Sequence, residues 1–251
     1  MKFRTTLKLA TTSLFVALLS ACGGGGGGGG GATESGKSTT SPVGGRGNPG
    51  GAAGTWQGPY AINYNTRLVV LDTGETFGLY ETGTSVTGAL YGDLKGDGSR
   101  VSGFLSDIVF STITRTNVNI SGTATAQKSM LITRGTQRLD LSYATNLQTP
   151  ISVASLAGTY SGRGSSSFSP PNNSTLTISA NGNVQLPETV CSASGNISPH
   201  PNGQNVFALN LTITGNNCGR RGNTLSGVAY LDPNNQRMFV LGLNGNRTDG
   251  A

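Results

Sequence analysis

Gly54-Thr55-Trp56-Gln57-Gly58 returns later in the chain as Gly158-Thr159-Tyr160-Ser161-Gly162. Each copy leads into an apolar stretch and a glycine turn: Leu68 to Leu71 then Gly74, and Leu176 to Ser179 then Gly182. Farther on, Ile120-Ser121-Gly122-Thr123-Ala124 matches Leu225-Ser226-Gly227-Val228-Ala229, and Gln137-Arg138-Leu139 matches Gln236-Arg237-Met238. The offset stays at about 100 residues throughout, which chance matches do not do. The chain therefore reads as two repeats, 54–150 and 151–251, joined near Thr149-Pro150.

Both repeats read as strand. Short runs of Val, Ile, Leu, Thr and aromatic residues alternate with clusters of Gly, Asn, Asp and Pro. Lys95 to Ser99 separates strands near 86–94 and 100–110. Asn202-Gly203 separates 190–198 from 205–214, and Asp232 to Asn235 separates 223–231 from 236–243. Such links are hairpin turns, where Asn and Gly supply the positive φ that strand twist demands. Hairpin after hairpin predicts an all-β antiparallel meander. The two repeats form either small barrels or one larger barrel or sandwich.

The first residues are of another kind. Lys2, Arg4 and Lys8 precede an apolar stretch from Leu9 to Leu19, and Leu19-Ser20-Ala21-Cys22 closes it. This is the layout of a secretory signal peptide, too short for a spanning helix. Its ending resembles the lipobox of bacterial lipoproteins. The resemblance implies that the Cys22 sulfur receives a diacylglyceryl group, that residues 1–21 are removed, and that the new amino group is acylated. Several acyl chains give stable attachment, because each buried methylene contributes about 0.8 kcal/mol and one chain is marginal. Gly23 follows the cysteine, where enterobacterial lipoproteins kept in the inner membrane carry Asp; the analogy favours the outer membrane, facing the periplasm or the cell surface.

Residues 22–53 form the link to the repeats. An unbroken glycine run, Gly23 to Gly31, passes into Gly, Ser, Thr and Pro. Such a composition buries nothing and is expected to be disordered. As a flexible coil of about 30 residues it reaches roughly 30 Å on average, enough to hold a folded body clear of the bilayer.

The net charge is +6, but Lys2, Arg4 and Lys8 supply three of those charges, so +3 remains after their removal. Scattered arginines on such a body make no case for nucleic-acid binding. Of the three cysteines, Cys22 is assigned to lipid. Cys191 and Cys218 are then an even pair in an oxidising compartment, for which a disulfide is the default. Closing that loop of about 27 residues stabilises by roughly 3 kcal/mol in the chain-entropy view.

The repeat openings, with their alternating strands and Gly turns, resemble the first strands of lipocalin- and avidin-like meander barrels. In those barrels the first-strand aromatic plugs one end of the core, a place the resemblance gives to Trp56 and Tyr160. The alternative is that both are ordinary core aromatics. The whole layout is similar to two-repeat, Gly-rich β-lipoproteins of proteobacteria with no assigned activity. The residues behind this are the lipobox, the Gly54 and Gly158 openings, the Cys191/Cys218 pair, Thr224 to Leu231, and Met238 to Asn246. Proteins of that sort continue into one more apolar strand beyond the point where this sequence stops. Barrel closure is therefore left open in the second repeat, with an edge to be exposed.

Catalytic and cofactor motifs fare poorly. Gly31-Ala32-Thr33-Glu34-Ser35-Gly36-Lys37-Ser38 fits the phosphate-loop pattern, but that loop works between a buried strand and a helix. Here a glycine run precedes it and Thr39-Thr40-Ser41-Pro42 follows. Asp93, Asp97 and Gly98 sketch a calcium loop, yet Lys95 and Phe104 stand where ligands belong. His200, between Pro199 and Pro201, is the one histidine and is expected in an exposed loop. No Gly-x-Ser-x-Gly elbow accompanies it. Asp107 and Asp140 lie within strands, and alternation is expected to put both on a polar face. Arg220-Arg221 reads as a solvated turn. No cofactor or metal is implied.

These readings converge on a lipid-anchored outer-membrane protein that acts as a non-enzymatic binding or envelope-interaction module. Its partners are the membrane, through acyl chains, and an envelope or host protein. The alternatives are a lipocalin-like carrier of a small apolar ligand and a surface-displayed inhibitor or adhesin.

Overall fold

The computed structural model of the protein describes residues 2–5, 50–61, 63–112, 114–144, 150–166, 169–187, 191–201, 205–216, 218–232, 236–248 and 250–251. Cys22, the glycine run, the tether as far as Pro49 and the Gly31–Ser38 pattern lie outside the described residues, as do Thr149, Asn202-Gly203 and Pro233 to Asn235; the last tether residues, Gly50 to Ala53, are described, and Ala52 is buried in the first core.

A short strand β1 (Lys2–Thr5) lies near the N-terminus. The first repeat then supplies β2 (Gly54–Pro59), β3 (Asn65–Val70), β4 (Glu75–Thr82), β5 (Ser85–Asp97), β6 (Arg100–Val109), β7 (Thr114–Thr125), β8 (Ser129–Arg134) and β9 (Gln137–Tyr143). Each pairs antiparallel with the next, and β9 returns to β2 with Tyr143 opposite Trp56. The result is a closed barrel of eight strands.

The second repeat repeats the meander with β10 (Gly158–Ser166), β11 (Ser169–Ile178), β12 (Asn183–Leu186), β13 (Ala193–Pro199), β14 (Val206–Ile213), β15 (Thr224–Asp232) and β16 (Arg237–Leu243). These seven strands form a nearly closed barrel, and β1 fills the seam between β10 and β16. Two barrels, rather than one larger sheet or a sandwich, are thus the architecture.

Strand alternation builds each interior. In β14, Phe207, Leu209, Leu211 and Ile213 are buried in the core of the second barrel, while Asn210 and Thr212 face solvent. Trp56, Leu68, Leu90, Leu94, Leu105, Met130 and Ile132 fill the first barrel in the same way. Each large apolar side chain so placed is worth roughly 1.5–3 kcal/mol relative to exposure.

Both interiors demand close approach at matched glycines. A Cβ on Gly122 would stand 2.0 Å from the Leu131 carbonyl oxygen, and one on Gly227 would stand 2.0 Å from that of Leu241. These are the glycines of the repeated Ser-Gly pair, so the repetition has a steric cause.

One turn is tighter than its sequence suggests. Lys95, Gly96 and Asp97 belong to β5 and pair with Ser102, Val101 and Arg100, leaving Gly98-Ser99 as the link. Strand propensity in Val101 and Leu94 carries the ladder through residues that look like loop.

The barrels touch along one apolar face. Val69, Leu71, Phe77, Leu79, Val86, Ala89, Ile108 and Phe110 of the first pack with Val206, Val228, Tyr230, Phe239, Leu241 and Leu243 of the second. Strands at this junction are buried on both faces, which is why Leu68 to Leu71 and Met238 to Leu243 are nearly continuous apolar runs.

Candidate functional site

Four features concentrate side-chain chemistry: an aromatic anchor at the start of each repeat, a polar cluster at one mouth of the first barrel, the junction between barrels, and the disulfide.

Trp56 and Tyr160 are both buried in their barrel cores. Each is preceded by a single 3-10 turn, Gly50–Ala52 or Val153–Leu156. Trp56 Nε1 donates to the Ala52 carbonyl at 2.8 Å, and the Tyr160 hydroxyl donates to the Leu156 carbonyl at 2.8 Å. Tyr143 meets Trp56 edge-on with ring centroids 5.2 Å apart. The polar tip of each ring thus satisfies a turn carbonyl that is cut off from water.

The opposite end of the first barrel carries the polar cluster. β2, β4, β6 and β8 run in one direction, so their last residues meet at one mouth. Tyr60 follows β2, Tyr80 and Asp107 lie late in β4 and β6, and Arg134 ends β8. The hydroxyl of Tyr60 donates to Asp107 Oδ2 at 2.5 Å and that of Tyr80 to Oδ1 at 2.8 Å. Arg134 Nη2 donates to Oδ2 at 2.9 Å. The Asp107 and Arg134 side chains are 13% and 9% exposed. Tyr60 stacks on Tyr80 with centroids 4.7 Å apart, and Tyr64 meets Tyr80 edge-on.

This arrangement overturns the polar-face expectation for Asp107. Val101 and Leu105 are interior residues of β6, and two further steps bring Asp107 to the same side. The barrel tolerates it because two phenol donors and the Arg134 guanidinium compensate the charge. Burial, and then Asp107 itself, pushes the Tyr60 and Tyr80 phenols well above their ordinary range. Both therefore remain donors at neutral pH. Asp140, by contrast, is exposed and paired with Arg138 at 3.1 Å.

At the junction, Arg67 lies over the Phe239 ring, 4.4 Å from its centroid, and 3.6 Å from Asp232. Arg247 lies 3.6 Å from Glu75 and over the Tyr91 ring at 5.2 Å. Tyr91 donates to Glu75 at 3.0 Å. A cleft of about 10 Å³ lined by Arg67, Phe77, Tyr230 and Phe239 has room for roughly one water. His200 is half-buried rather than fully exposed as its prolines suggest. Burial lowers its pKa, and the nearby Glu75 and Asp72 carboxylates oppose that shift.

Cys191 and Cys218 are joined, with Cα atoms 4.9 Å apart. The bond ties the link before β13 to the link before β15, and Cys218 is buried against the second core. Asp93 and Asp97 lie in β5, paired with Phe104 and Arg100, rather than in a cation-binding loop.

Parity along β6 was the signal for the mouth cluster, because a carboxylate in step with Val101 and Leu105 must be compensated. Nothing in the sequence pairs it with Arg134 or Tyr60. No protein family, no curated protein and no solved structure matches this chain.

Proposed function

We propose that the protein is a lipid-anchored lipoprotein of the outer membrane, with a glycine-rich tether carrying a two-barrel binding module that has no catalytic role. The observation that carries this reading is the Leu19-Ser20-Ala21-Cys22 ending directly ahead of Gly23 to Gly31. Acyl chains hold the N-terminus, the tether gives reach, and the body offers rigid outer surfaces to an envelope or host protein.

The barrel interiors favour contact on the outside over carriage of a small apolar ligand. Small eight-stranded barrels either fill with side chains or enclose a ligand. Here Trp56, Leu68, Leu90, Leu94 and Leu105 are less than 2% exposed inside the first barrel. The shared apolar junction makes the two barrels one binding body.

The test is metabolic labelling with palmitate in cells producing the full chain, followed by cross-linking in the intact envelope. Label is expected in the wild type and absent from Cys22→Ser, with Cys22→Ser also losing membrane attachment and the cross-linked products. Unlabelled wild-type protein, or unchanged attachment of Cys22→Ser, contradicts the reading.

A further inference from the structure

The strand that completes the second barrel belongs to the leader. β1 pairs with β10 as Lys2–Arg163, Phe3–Gly162, Arg4–Ser161 and Thr5–Tyr160. It pairs with β16 as Lys2–Phe239, Phe3–Met238 and Arg4–Arg237. All of β1 lies in the segment that processing before Cys22 removes. Removal leaves two facing edges whose ladder groups need partners. β10 and β16 run in the same direction, so one extended strand, antiparallel to both, satisfies the two edges together. Beyond Leu241, β16 is met by Gly250 and Ala251, which bounds the slot.

The register specifies what fits. Tyr160 and Met238 are core residues, and Gly162 shares their face. A residue opposite Gly162 and Met238 stands at an interior position beside a glycine, which suits a large apolar side chain. Of the two alternate positions, one stands opposite Arg163 and Phe239, the other opposite Ser161 and Arg237. Each of these positions thus has an arginine across the ladder. Arg163 Nε is buried with no hydrogen-bond partner. Asp232, opposite Arg237 on β15, also lies 3.6 Å from Arg67. Acidic residues at the alternate positions would set an opposite charge across from each arginine.

We propose that the slot between β10 and β16, once cleared of Lys2–Thr5, is a strand-acceptor site for a partner protein's extended segment with an acidic–apolar–acidic pattern. The inference rests on the proposed processing at Cys22, and it names the kind of partner the module takes. Main-chain pairing supplies affinity, and the alternating side-chain positions supply selectivity.

The test uses the processed lipoprotein extracted from membranes in mild detergent. Mass spectrometry of its N-terminal peptide comes first, and retention of Met1 to Ala21 contradicts the processing and, with it, the vacant slot. Amide hydrogen exchange is then followed at 160–163 and 237–239 with the peptide Ser-Thr-Glu-Phe-Glu-Thr-Ser and with its counterpart bearing Lys for both Glu. Reversing two cross-strand charge pairs corresponds to about tenfold in affinity, so the acidic peptide is expected to slow exchange where the lysine peptide does not. Arg163→Glu, or Arg237→Glu should the first variant misfold, is expected to narrow or invert that preference. No protection, or equal protection by both peptides, in a protein whose β13 to β15 amides stay protected overturns the proposal. Protection that grows with protein concentration alone overturns it in favour of a second copy. Loss of protection throughout the second barrel after processing overturns it by making the leader strand part of the fold.

Discussion

Trp56 and Tyr160 hold the same post in the two barrels, each reaching back four residues to a turn carbonyl at 2.8 Å. One repeat places an indole and the other a phenol there, and each makes the hydrogen bond. Tyr160→Phe keeps the ring and removes the donor, leaving the Leu156 carbonyl unmatched. We expect a loss of about 1–2 kcal/mol in urea unfolding. Trp56→Phe removes volume as well as the donor, and is expected to cost about 2–4 kcal/mol. Unchanged midpoints would show that the bonds are incidental.

The Asp107 cluster is expected to behave as a coupled unit. Asp107→Asn leaves the buried Arg134 charge uncompensated and is expected to destabilise by about 3 kcal/mol. Adding Arg134→Met is expected to recover part of that loss, giving a favourable coupling in a double-mutant cycle. Additive losses would mean that the ion pair contributes little.

Gly122→Ala and Gly227→Ala force a methyl group against a neighbouring strand. Each is expected to cost roughly 2–3 kcal/mol, seen as a lowered melting temperature. Gly83 has φ 58° with open space around its Cβ position. Gly83→Asn is therefore expected to change stability by less than about 1 kcal/mol. Equal effects at all three sites would remove the packing argument.

His200 sets a pH dependence. Burial lowers its folded-state pKa, so the unfolded chain takes up the proton first as pH falls. Stability is then fully present above the unfolded value of about 6.5 and declines as pH drops through it toward the folded value. Chemical denaturation between pH 8 and roughly pH 5 is expected to show this slope, reduced in His200→Gln. A slope that persists unchanged in His200→Gln would assign the titration to another group.

Much of the fold was legible because period-two alternation and hairpin turns are local. The repeat offset gave two equivalent units, and Cys191 with Cys218 gave the disulfide. The division into two barrels was not legible, since closure depends on β9 finding β2 rather than the next repeat. The continuous runs Leu68 to Leu71 and Met238 to Leu243 did carry a signal: burial on both faces breaks alternation, and both runs lie at the junction. The end of the second repeat predicts an exposed edge at this seam, and its occupant is a strand from the residues that read as leader. Basic residues at Lys2 and Arg4 mark a signal peptide by composition, and the pairing potential of any short extended segment leaves no comparable mark.

The tether and anchor carry the functional account, and intact-mass spectrometry of the protein taken from the cell envelope tests them most directly. The expected species is a chain beginning at Cys22 with the added mass of a diacylglyceryl group and an amide-linked acyl chain. A chain that still begins at Met1, or one that begins at Cys22 with an unmodified thiol, would contradict it.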